Sequence, residues 1–143
     1  MDIFTGVYLL IEGLRDFRTK EISLWGSLGV GFVGLLYSIS VERAWMSIIL
    51  AEIPGIICVL ISFCTRQSVG YGDGILLCSL GMLYTFEDLL IICTIAIGFA
   101  GLMGLVLLVV FRKSGKYEIP FVPFLFIGWF LFYGTRLVNG GSA

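Results

Sequence analysis

The chain has 143 residues, 59% of them hydrophobic and 13% charged, with a mean hydropathy of +1.05. Soluble domains carry about 25% charged residues, so the composition excludes an ordinary soluble domain and implies an all-α protein embedded in a lipid bilayer. A net charge of −1 gives no argument for a nucleic-acid partner, and none is expected; the absence of histidine excludes a His-Glu-x-x-His metalloprotease and a serine protease with a histidine base.

The first apolar run, residues 3–14, is broken only by Glu12. It lacks a basic flank and a small-residue cleavage site, so it reads as a membrane helix and not as a removable signal peptide. A charged loop follows over residues 15–21, in the stretch Arg15-Asp16-Phe17-Arg18-Thr19-Lys20-Glu21-Ile22. The second helix is expected over 24–41, where Gly26, Gly29, Gly31 and Gly34 allow close helix packing. Glu42-Arg43 is a tight charged turn, and residues 44–64 form a third helix interrupted by Glu52 and Pro54.

A glycine-rich loop then leads into Val69-Gly70-Tyr71-Gly72-Asp73-Gly74. Asp73 is expected to open a fourth helix reaching about residue 86, with Glu87-Asp88 as the turn after it. The fifth helix covers 89–111, a basic loop covers 112–118, and the sixth helix covers 119–138 with Pro120 at its start, where proline is tolerated. Residues 139–143 are an expected frayed tail. Four cysteines, Cys58, Cys64, Cys78 and Cys93, lie in apolar runs with no Cys-x-x-Cys spacing, so they read as small core hydrophobes and no metal site is expected.

Seven cations, Arg15, Arg18, Lys20, Arg66, Arg112, Lys113 and Lys116, fall in alternate loops, leaving Arg43 and Arg136 on the other side. The positive-inside rule then gives six transmembrane helices, both termini outside, and Asp16 and Asp73 at the same cytoplasmic face. The first and fourth helices provide about 13–15 residues beside their aspartates, or about 20 Å against a hydrocarbon core of about 30 Å. That shortness would place a carboxylate slightly inside the bilayer, where a charge is costly and usually functional.

Two carboxylates that come close cannot both ionise readily. The ionised one can take a proton from water while the protonated one polarises a peptide carbonyl, with no cofactor required. Each aspartate also has a plainer reading, Asp16 as a loop charge paired with Arg15 or Arg18 and Asp73 as a helix N-cap. Glu12, one turn before Asp16, either tunes it or faces headgroups. Glu52, near the bilayer midplane, is either a protonated packing residue or part of a substrate or proton path.

These residues resemble those of the type IV prepilin peptidases, membrane aspartic proteases whose pattern is an aspartate after the first core helix, an arginine two residues on, an Ile-Pro, and then a G-x-G-D motif. Asp16, Arg18 and Ile22 fit the first part, and Gly70-Tyr71-Gly72-Asp73 the second; Ile119-Pro120-Phe121-Val122-Pro123-Phe124 resembles the start of the family's last helix. Ser23 replaces the usual proline, and Ile75 stands where a lysine is often found. The resemblance implies Asp16 and Asp73 as catalytic residues, supported by Gly70, Gly72, Arg18 and Ile22, with no cofactor. It implies a single catalytic domain over residues 1–143, like the short protease-only members without a methyltransferase segment, in the cytoplasmic membrane of a prokaryote. The implied substrates are prepilin-like or pseudopilin precursors with a short basic leader and an apolar helix. A presenilin-like G-x-G-D protease and a non-enzymatic membrane scaffold or small transporter are the alternatives.

Overall fold

The computed structural model describes residues 2–20, 22–64, 70–110 and 119–140, with the backbone alone at position 139. Those residues form six α-helices and no strand: α1 (Asp2–Thr19), α2 (Leu24–Ser40), α3 (Trp45–Cys64), α4 (Tyr71–Gly81), α5 (Phe86–Val109) and α6 (Val122–Gly140). Two of them, α3 and α5, are long and apolar enough to cross a membrane, while α2 and Val122–Val138 of α6 are shorter apolar helices. The expected basic loop, most of the glycine-rich loop before Gly70, and the last three residues of the expected tail lie outside the described residues.

The chain divides into two compact units, one of Met1–Lys20 with Ile91–Ala143 and one of Glu21–Leu90. In the first unit α1 packs along α6. The buried face of α1 is small or polar apart from Leu9: Thr5, Gly6, Leu9, Glu12, Gly13 and Asp16. Its apolar side chains, among them Ile3, Val7, Ile11, Leu14 and Phe17, face outward. Such an inverted distribution suits a hydrocarbon solvent, because lipid tails do not drive apolar side chains inward as water does. A Cβ on Gly6 would collide with the Trp129 indole, so glycine there lets the two helices meet. Gly128 approaches the Ile92 carbonyl of α5 in the same way, a Cβ there falling 2.6 Å from that oxygen.

In the second unit α4 is wedged between α2 and α3. Its residues Gly74, Cys78 and Gly81 run along Val59, Gly55 and Ala51 of α3, with backbone nearly touching backbone. Pro54 is accommodated inside α3 at this crossing. On the α2 side Gly31 lies against Ser79 and Gly34 against Leu83 and Met82, as expected of packing glycines, whereas Gly29, expected to pack likewise, has open space around it. Polar ties fix the seam: Ser79 Oγ donates to the Ser27 carbonyl at 2.6 Å and Ser38 Oγ to the Met82 carbonyl at 2.6 Å.

Four boundaries differ from expectation, each for a local reason. Asp16 is not in a loop, because α1 continues to Thr19. No glycine or proline interrupts that stretch, Thr19 Oγ1 donates back to the Arg15 carbonyl, and Lys20 ends the helix in left-handed backbone at φ 54°. α4 stops at Gly81, because the following carbonyls are claimed from outside: Met82 by Ser38, and Tyr84 by Arg43 at 2.6 Å. α5 begins at Phe86, so Glu87 and Asp88 occupy its first turn instead of the preceding one. Thr85 caps it, accepting the Asp88 N–H at 3.3 Å, and the acidic pair suits the positive end of the helix. α6 starts at Val122 and extends to Gly140, which places Pro123, not Pro120, in its first turn. α1 supplies 14 residues before Asp16, as expected, although its 18 residues rise about 27 Å in all, whereas the 11 residues of α4 rise only about 17 Å.

Candidate active site

Asp16 lies on the inner face of α1 and is only 5% exposed. Its Oδ2 accepts the backbone N–H of Val122 at 3.1 Å, a buried bond to the first residue of α6, and the Phe121 amide contributes to the same carboxyl. Three residues earlier Gly13 lies beside Pro123, where a Cβ would stand in ordinary contact, 3.5 Å from Pro123 Cα. Glu12, one turn before Asp16, is also buried, at 4% exposure, so it faces inward and not toward headgroups. Arg18, in the last turn of α1, is exposed. An apolar groove of about 270 Å³ also runs between α1 and α6, lined by Leu10, Leu14, Phe17 and Phe126 among others, but neither acid lines it.

Asp73 is the third residue of α4, and Gly70, not Asp73, is the N-cap. The Asp73 N–H donates to the Gly70 carbonyl at 3.1 Å. Each glycine of Gly70-Tyr71-Gly72-Asp73-Gly74 has a steric reason. A Cβ on Gly70 would lie 2.8 Å from Asp73 Oδ2, so the missing side chain leaves the carboxylate its place. A Cβ on Gly72 would lie 3.0 Å from Ile22 Cβ, which brings together two of the four motif residues expected to support the site. A Cβ on Gly74 would fall 2.9 Å from the Val59 backbone nitrogen of α3. None of the described glycines has positive φ, so the motif is read here as a set of close approaches and not as a sharp turn.

Glu52 sits between α3 and the far end of α4. A Cβ on Gly81 would stand 2.9 Å from Glu52 Oε1, and the Cys78 thiol faces the same carboxyl. Gly81 is eight residues beyond Asp73, about 12 Å along the helix. Glu52 Oε1 and Arg43 Nε are the two buried side-chain atoms without a hydrogen-bond partner among the described residues. Arg43 and Glu52 also attract one another electrostatically. Asp16 and Glu12 thus belong to the first unit, and Ile22, Glu52, Gly70, Gly72 and Asp73 to the second.

Sequence reasoning missed the Val122 amide and the Arg43 brace. Val122 had a signal: Phe121 offers no capping oxygen and Pro123 no N–H, so a helix starting there needs an acceptor from elsewhere. Arg43 had only the weaker one of a lone cation near an intramembrane acid.

Helices with apolar outward faces, buried acids and a Gly-x-Gly-Asp at the head of a short helix define a helical membrane protein with acid chemistry to hand. Residues 3–109 match the type IV leader peptidase family, and the chain belongs to that family of peptidases. The match ends before α6, so the contact between Val122 and Asp16 brings in a segment beyond it. No curated protein and no solved structure gives a significant match.

Proposed function

We propose that this peptidase is an aspartic endopeptidase that removes the short basic leader from prepilin-like or pseudopilin precursors at the cytoplasmic face of a prokaryotic membrane. The observation that carries the reading is the family match joined to Asp16 and Asp73, each at a family motif. The two carboxylates work as a pair. One takes a proton from water as the water oxygen bonds to the scissile carbonyl carbon. The protonated partner gives its proton to the carbonyl oxygen as the π pair moves onto it. As the tetrahedral gem-diol collapses, the C–N bond breaks; the ionised aspartate takes the proton of one hydroxyl while the protonated one gives its proton to the leaving amine, which restores a singly protonated dyad.

The six helices cross the bilayer, with both termini outside. A basic leader would be held at the inner leaflet by about 1 kcal/mol per Lys or Arg near an anionic surface. The apolar helix behind it would partition into hydrocarbon, which sets the scissile bond at the boundary between the two. The scissile carbonyl must leave helical hydrogen bonding, so a glycine before the cut is expected. Co-expression with a prepilin precursor, read as a gel shift on leader loss, tests the reading. A precursor left whole by the wild-type enzyme, across precursors with and without the glycine, would sink it.

A further inference from the structure

The first turn of α6 has backbone donors to place, and Phe121, which precedes it, brings no side-chain oxygen to cap them. The donors are accounted for one by one. Phe124 and Leu125 both donate to the Phe121 carbonyl, at 3.0 and 3.1 Å. Pro123 has no N–H. The Val122 N–H goes to Asp16 Oδ2 at 3.1 Å. Asp16 therefore supplies from α1 the cap that α6 lacks. The Val122 side chain is fully buried and Gly13 brings α1 up to Pro123, so neither partner is free to swing away.

We propose that Val122 is a positioning residue for catalysis. Its backbone N–H holds Asp16 by Oδ2, with the Phe121 amide contributing beside it, and this hold turns the carboxyl so that it can exchange a proton with the attacking water. The assignment rests on the reading of Asp16 as catalytic. A carboxyl held by backbone amides at the head of a helix is restricted in orientation, and catalytic groups lose rate steeply when misplaced.

Proline is well tolerated at the first helical position. Val122→Pro therefore deletes the N–H while allowing the helix, and Val122→Ala deletes the buried side chain while keeping the N–H. The full-length enzyme in detergent is given a precursor with a basic leader, a glycine before the cut and an apolar helix. The kcat of Val122→Pro should fall roughly tenfold or more below that of Val122→Ala, with KM within about twofold, since orientation and not substrate binding is lost. Val122→Pro should also melt below Val122→Ala, and that gap should close when both carry Asp16→Ala, which removes the acceptor. If Val122→Pro fails to fold, a backbone ester at position 122, made by cell-free translation with the α-hydroxy analogue of valine, deletes the same N–H and keeps the side chain; it is then compared with wild type. Equal kcat in the variant and its reference, with Asp16→Asn inactive, overturns the positioning role alone. Wild-type cleavage by Asp16→Asn overturns the catalytic reading of Asp16 beneath it.

Discussion

A carboxylate at the head of α6 and another beside Gly70 differ in what holds them. The Asp16 bond is charge-assisted when the carboxyl is ionised, a kind worth about 1.5–3 kcal/mol. The place of the Asp73 carboxylate also depends on a missing side chain, since a Cβ on Gly70 would come within 2.8 Å of its Oδ2. Gly70→Ala should therefore displace the carboxylate and lower kcat, on the order of tenfold for a shift of a few tenths of an ångström. Stability should hardly change, because Gly70 is exposed and, among the described residues, the nearest atoms to such a Cβ are those of the Asp73 side chain. Kinetics and thermal unfolding on the same preparation check both halves. Gly74→Ala should behave in the opposite way, costing about 1–3 kcal/mol through overpacking against Val59, while Gly29→Ala, with open space around it, should cost nothing. The sequence announced Gly70, Gly72 and Asp73 as a group, but not what each glycine is for. Such reasons depend on Ile22 and Val59, which are distant in the chain and carry no mark of the contact.

At the scale of the element, α4 is the short helix between two longer ones, and its C-terminal end is held from outside. The Arg43 guanidinium, on the turn between α2 and α3, donates to the Tyr84 carbonyl at 2.6 Å and approaches that of Gly81 at 3.5 Å. Ser38 takes the Met82 carbonyl. Arg43→Ala would leave buried carbonyls without a donor and should cost about 2 kcal/mol, read as a lower melting temperature in detergent. Arg43→Lys should recover part of that loss, because one ammonium reaches fewer carbonyls than a guanidinium fork. Helix existence was legible from the apolar runs, all six of them. The ends at Thr19, Gly81 and Val122 were not, because each is settled by a partner from another element or by local backbone that composition does not encode. Thr85 with Asp88 was the exception: that pair is a readable start signal, and it places α5 three residues before the expected beginning.

The whole molecule hides polar side chains and shows apolar ones. Thr5, Glu12, Asp16, Ser27, Ser38, Ser62 and Ser79 are buried, while Trp25, Phe63, Val109 and Val138 are among the most exposed side chains. Composition alone announced the membrane, and the cation pattern proposes its orientation. Single cysteines at positions 66 and 114, on a cysteine-free background, should resist a membrane-impermeant thiol reagent applied to intact cells and react once the membrane is opened. A cysteine at position 42, in the α2–α3 turn, should react from outside. Labelling of 66 or 114 in intact cells would refute the six-helix topology.

Cleavage of a prepilin precursor in a purified system tests the central claim most directly, with wild type, Asp16→Asn and Asp73→Asn compared at equal folded concentration across pH and with EDTA. The account predicts leader removal by wild type alone, undiminished by the chelator. The pH profile should be bell-shaped, with limbs that belong to the aspartate pair and not to either residue. Leader removal at the wild-type rate by either asparagine variant, or its loss in EDTA, would contradict it.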